Sequence, residues 1–130
     1  MPSIFSRIIN SEIPCQKLFE NKDFLAFLDL RPVNPGHTLV IPKKEVDYFF
    51  DLEDQNLGEI MVFSKKIARS IKKAVPCKKI GLIVAGLEVP HAHIHLIPIV
   101  GSVHELAFSN AKTASSEDLE AMAKKIRACL

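Results

Sequence analysis

Residues 91–95 read His-Ala-His-Ile-His, and the run continues as Leu-Ile-Pro-Ile-Val to position 100. A period of two fits one regular backbone, the extended strand, because only there do successive side chains leave on opposite faces. His91, His93 and His95 then share a face that Ile97 and Ile99 continue. Ala92, Ile94, Leu96 and Val100 share the other face and anchor the strand in a core. The imidazoles stand about 6 to 7 Å apart along such a strand. A line of histidines with an apolar back needs a sheet with a core on one side and chemistry on the other.

The chain can supply that sheet. Its 130 residues allow one domain, and 48% of them are hydrophobic, enough for a sizeable core. Residues 3–10 read as a short opening helix with Ser3 as N-cap. Residues 15–20 and 23–30 read as two strands joined by a tight turn at Asn21–Lys22. In the second, Phe24, Ala26, Leu28 and Leu30 fall on one face and Leu25, Phe27 and Asp29 on the other. That predicts a strand buried on both sides, with Asp29 emerging near a site.

Pro32, Pro35 and Gly36 force a loop, and residues 37–42 form a third strand stopped by Pro42. From Asp54 to Val75, Leu57, Ile60, Met61, Ile67, Ala68, Ile71 and Val75 recur at helical spacing until Pro76. The opposite face carries Lys65, Lys66, Arg69, Lys72 and Lys73, which fits a solvated face better than a phosphate patch. Residues 78–86 and 90–100 read as the fourth and fifth strands. Ser115 and Asp118 have capping-box spacing before a closing helix striped by Leu119, Met122, Ala123, Ile126 and Leu130. The fold class is therefore α+β: a five-stranded antiparallel sheet with a long central helix and a C-terminal helix at about 116–130. No repeat or linker divides the chain, so residues 1–130 read as a single domain.

The net charge of +2 gives no argument for a nucleic-acid or membrane partner. No apolar run reaches the ~18 residues of a membrane span, and the first ten residues lack the pattern of a signal peptide. Cys15, Cys77 and Cys129 are odd in number and far apart, which favours free thiols in a reducing compartment. The expectation is a cytoplasmic protein.

Three readings of the histidines are open. They can be structural residues of a polar strip. They can hold a metal, with a further ligand such as His37 or Glu45, although a straight strand spreads three imidazoles too far to converge on one ion. Or the middle one can be a nucleophile. A free imidazole titrates at about 6.5, so at neutral pH it attacks without an added base. It can take up a phosphoryl group and pass it to water, with its neighbours fixing its tautomer and donating hydrogen bonds.

"HAHIHLI" resembles the His-x-His-x-His-x-x signature of the histidine-triad (HIT) family of nucleotide hydrolases and transferases. "IFSRIINSEIP", "LAFLDLRPVNPGHTLVIPK" and "AGLEVPHAHIHLIP" resemble successive blocks of that family in the right order, over roughly residues 4 to 100. The resemblance implies that His93 is the nucleophile, that His91 and His95 orient it and hydrogen-bond around the phosphate, and that His37 is the fourth family histidine. Asp29 matches the acid that binds ribose hydroxyls. Phe5, Ile8, Ile13, Phe27, Leu28 and Leu30 match the apolar base pocket. Gly86 matches the glycine that lets the backbone approach the phosphate, with Leu87, Glu88 and Val89 beside it.

The implied activity is hydrolysis of a substituted nucleoside 5'-monophosphate of phosphoramidate type through a nucleotidyl-histidine. Alternatives are a dinucleoside polyphosphate hydrolase or nucleotidyltransferase of the same family, or a nucleotide-binding module with little turnover. The implied partners are a purine nucleotide such as AMP or GMP and a second copy of the chain, paired through the long helix and the fourth strand. Two departures matter. Many relatives carry Gly-Gln-Ser or Gly-Gln-Thr where this chain has Gly86-Leu87-Glu88, which disfavours polyphosphate leaving groups. Relatives with structural zinc use an N-terminal cysteine pair and a histidine after "IPK". Ser6 and Glu45 stand in those stretches here, so no metal or other cofactor is expected. His104 reads as a surface histidine.

Overall fold

The computed structural model describes residues 2–130. Its order is α1 (Ile4–Ile9), β1 (Lys17–Glu20), β2 (Phe24–Leu28), β3 (Thr38–Pro42), α2 (Asp54–Ala74), β4 (Lys79–Ile83), β5 (Ile94–Ile99) and α3 (Ser116–Arg127). Short 3-10 turns lie at Phe49–Asp51, Val103–Leu106 and Phe108–Asn110. The five strands form one sheet in the order β1-β2-β3-β5-β4, and each neighbouring pair is antiparallel. The expected α+β class and antiparallel sheet are what the chain adopts. Among the described residues no helix is long and apolar enough to cross a membrane.

The alternation in β2 divides the interior as expected. Phe24, Ala26 and Leu28 join the main core with Val40, Ile60, Ile67, Ile71, Ile94 and Leu96 under α2 and α3. Leu25 and Phe27 join Phe5, Ile8, Leu39 and Ile41 in a smaller cluster on the opposite face, roofed by α1. The larger cluster holds the sheet's shape; truncating a buried isoleucine such as Ile67 to alanine costs about 2–5 kcal/mol.

Several local expectations are corrected. The β1–β2 turn is Lys22–Asp23, because Asn21 pairs with Phe24 and its side-chain oxygen accepts from the Asp23 and Phe24 amides. In α2, Met61 is exposed and Phe63 is buried in its place, packed against Phe19 and Phe24. Val100 and Leu130 are also exposed, because β5 and α3 end before them. β5 itself begins at Ile94, so His91 and His93 lie in an extended lead-in rather than in the ladder. That lead-in is held by the Ala92 amide donating to the Val46 carbonyl at 2.6 Å.

Candidate active site

The site builds up from the lead-in to β5. Ala92 and Ile94 plug into the main core, which fixes His93 between them on the α1 side of the sheet. His93 is not a surface residue, as a plain strand position predicts; it is 5% exposed. The edge of Phe5 meets it at 5.0 Å between ring centroids, and the His95 ring stands 4.8 Å away. That ring spacing is shorter than the roughly 6 to 7 Å between alternate positions of a straight strand.

Hydrogen bonds decide where each ring proton sits. His93 Nδ1 lies 2.7 Å from the His91 carbonyl oxygen. A carbonyl only accepts, so Nδ1 carries the proton and the Nε2 lone pair is left free. His91 Nε2 lies 2.8 Å from the Pro42 carbonyl, so that nitrogen is protonated. Its Nδ1 lies 2.8 Å from the Ser3 hydroxyl and therefore accepts from it. The same hydroxyl caps α1 by accepting from the Ser6 amide at 3.1 Å. His91 thus has both nitrogens engaged and is fully buried, so it has no donor left for a phosphate.

His37 is set by its own loop. Gly36 makes the turn at φ +96, where an added Cβ would meet Val75 at 3.1 Å and Pro98 at 3.2 Å. The Val33 amide then donates to His37 Nδ1 at 3.0 Å, which leaves the proton on Nε2. That proton points to His95 Nδ1, 3.0 Å away, and the Asp29 carboxylate lies 3.5 Å from His37 Nε2. His95 accepts at Nδ1 and so carries its own proton on Nε2. Burial, with His93 and His37 close by, pushes His95 down to about 3. Burial also lowers His91 and His37, and Asp29 partly offsets it at His37.

Asp29, His37 and His95 are the described residues grouped closely enough to hold a metal ion, with ligand atoms within 4.8 Å of one another. They fit one poorly. A metal at this point needs the His37 Nε2 lone pair, and that nitrogen carries a proton because Nδ1 is committed to Val33. Ser6 and Glu45, which stand in the stretches where zinc-binding relatives carry ligands, hydrogen-bond to each other. Glu45 Oε1 accepts from the Ser3 amide at 2.6 Å and the Ser6 hydroxyl at 2.7 Å. These bonds hold the Glu45 carboxyl down to about 2.

Of the expected base-pocket residues, Phe5, Ile8, Phe27 and Ile13 pack together on the histidine side, with Cys15 and Val89 against them. Leu28 does not join them. It faces the other side of β2 and borders a cavity of about 320 Å³ with Asp29, Gly36, His37 and α3. Leu30 is exposed just beyond Asp29. A second cavity, about 290 Å³, opens on His93 and is bordered by Tyr48, Phe49, Phe50, Val84, Gly86 and Leu87. Gly86 has φ +74, a conformation that favours glycine. Leu87 is 94% exposed, and Glu88 is exposed and does not border the cavity.

Sequence reasoning missed Phe108, whose ring lies 4.7 Å from that of His95. It also missed Ser3 as a partner of His91. The capping signal at Ser3 was visible, but its second partner lies 88 positions away.

Several known proteins are similar to this chain in sequence and shape. The HIT domain family model matches residues 10–101. An uncharacterized HIT-like protein of Methanocaldococcus jannaschii is 37% identical over 130 residues, covering 95% of this chain and 98% of its own. An adenosine 5'-monophosphoramidase of Schizosaccharomyces pombe is 32% identical over 132 residues, 97% of this chain and 96% of its own. A crystal structure of a HIT-like protein from Bartonella henselae, involved in cell-cycle regulation, has a TM-score of 0.88. It is 36% identical and covers 98% of this chain and 96% of that one.

Proposed function

This chain belongs to the HIT domain family, and from that premise we propose that it is a hydrolase of substituted nucleoside 5'-monophosphates. The substrate class is the phosphoramidate, with a purine nucleotide such as AMP or GMP as product. The phosphoramidase relative in S. pombe supports that class. One observation carries the mechanism: the His93 Nδ1–H donates to the His91 carbonyl, which leaves the Nε2 lone pair as the nucleophile.

His93 Nε2 bonds to the phosphorus. The bond from phosphorus to the amine breaks with its electron pair on nitrogen, and the amine leaves protonated from solvent. Water then bonds to phosphorus, the P–Nε2 bond breaks, and the proton of water passes to solvent. His95 offers its Nε2–H to the phosphoryl group, in the orientation that His37 sets. Asp29 accepts the ribose hydroxyls, and Phe5, Ile8, Ile13 and Phe27 receive the base. Gly86 allows the backbone to approach the phosphate. No step requires a metal.

The active form is a homodimer in the cytoplasm. β4 is an edge strand with one side unpaired. Leu82 on it, Val84 just beyond its end, and Met61 and Val62 on α2 are exposed, an apolar surface that a second copy would cover. Incubation with adenosine 5'-monophosphoramidate tests the activity: release of AMP supports the reading, and binding without turnover favours a nucleotide-binding module. Light scattering should give twice the chain mass; the monomer mass would contradict the dimer.

A further inference from the structure

We propose that Glu105 is a positioning residue for the His37–His95 pair, acting through Asn34 and through the segment that carries Phe108. The inference rests on the reading that His95 serves phosphoryl transfer. Beyond Ile99 the chain folds back over the site, and the Glu105 carboxylate is the hub of that return. Its Oε1 accepts from the Val100 amide at 2.9 Å and from Asn34 Nδ2 at 2.8 Å. Its Oε2 accepts from the Gly101 and Ser102 amides, each at 2.5 Å. The backbone amides and Asn34 hold this carboxyl down to about 2, so it stays a strong acceptor at working pH.

Asn34 is the second node. Its Nδ2 also donates to the Pro98 carbonyl at 2.8 Å, and its own carbonyl accepts from the His37 amide at 3.0 Å. Its neighbour Val33 sets the His37 tautomer. One carboxylate therefore ties the end of the strand that carries His95 to the loop that carries His37. The 3.0 Å contact between the two rings depends on that tie.

The same return places Phe108. Leu106 packs over Gly81, where an added Cβ would meet it at 3.2 Å. Farther along, the Arg31 guanidinium donates to the Ala111 carbonyl, the Lys112 amide to Pro32 and the Ala114 amide to Leu30. Pinned at both ends, the segment lays Phe108 on His95 while the residue stays 42% exposed. The titratable groups at His95 are His93, His37 and Asp29. Glu105 reaches His95 through geometry, since it hydrogen-bonds to none of them.

The test uses Glu105→Gln and Asn34→Ala in the full chain. With adenosine 5'-monophosphoramidate, each should lower kcat about tenfold or more and leave KM within about twofold, the signature of a shifted but intact site. Ring 15N spectra should show His37 and His95 losing their single tautomers while His91 keeps its own. A kcat within about twofold of wild type in both variants, or unchanged His37 and His95 ring signals, overturns the proposal. If Glu105→Gln fails to fold, Asn34→Ala, which keeps the carboxylate and its backbone partners, decides alone. The ring spectra need no turnover, so an inactive wild type would count against the proposed reaction while the spectra still decide the positioning role.

Discussion

The two histidines that flank His93 live in different surroundings. His91 is fully buried, with one nitrogen on the Pro42 carbonyl and the other on Ser3, and its own carbonyl holds the His93 proton. His95 is half-buried between His93, His37 and Phe108, and keeps one N–H free. A sequence that repeats histidine at every second position suggests equivalent partners. The wiring instead makes His91 a structural support of His93 and His95 the neighbour with a donor to spare.

The largest effect should come from the residue between them. His93→Ala should abolish turnover of a phosphoramidate, and His93→Gly should regain part of it with added imidazole. Retention of more than about a tenth of wild-type kcat, a barrier change under roughly 1.4 kcal/mol, would rule out covalent catalysis. The cavity left beside Phe5 should lower stability modestly, a cost that a surface position would not show.

His95→Asn comes next. It removes the free Nε2–H and should lower kcat by about 10² with a small change in melting temperature. Ser3→Ala should give the reverse pattern. It removes the cap of α1, worth about 1 kcal/mol, and leaves His91 Nδ1 unpaired in a buried site, worth about 1–3 kcal/mol more. The expected result is a clear loss in denaturant midpoint with most of kcat kept. If Ser3→Ala spares stability and destroys activity, the division between the flanks is wrong.

A further effect is on acid stability. His91, His37 and His95 have folded values below the ordinary histidine value of about 6.5. Below that pH the unfolded chain binds protons that the folded chain refuses, so stability falls with pH. The stability is complete above about 6.5 and is lost on the way down to about 3, the His95 value. A plot of unfolding free energy between pH 7 and 4 should slope downward, less steeply in His95→Asn. Equal slopes would mean that His95 is not held neutral.

Much of this site could be read from the sequence because periodicity reports faces. The period of two in β2 separated Leu25 and Phe27 from Phe24 and Ala26, and the same period put the histidines opposite Ile94 and Leu96. Periodicity does not report what lies over a face. The burial of His93 comes from Phe5 on α1, and the tautomers come from carbonyls of Pro42 and His91, groups every residue has. Leu28 lies apart from Phe5, Ile8 and Phe27 because one step along a strand reverses the face. Met61 and Phe63 sit two positions apart on α2, and only the rings of Phe19 and Phe24 select the second. Residues 101–115 looked like a polar connection because their hold on the sheet runs through Glu105, Asn34 and backbone amides rather than an apolar stripe.

The central claim is that His93 forms a bond to phosphorus. It can be tested with one diastereomer of an adenosine 5'-phosphorothioate amidate hydrolysed in ¹⁸O-labelled water, followed by assignment of the configuration of the product. Two in-line displacements, first by His93 Nε2 and then by water, predict overall retention at phosphorus. Inversion would mean that water attacks the substrate directly, and His93 would then be a base or a binding residue rather than the nucleophile.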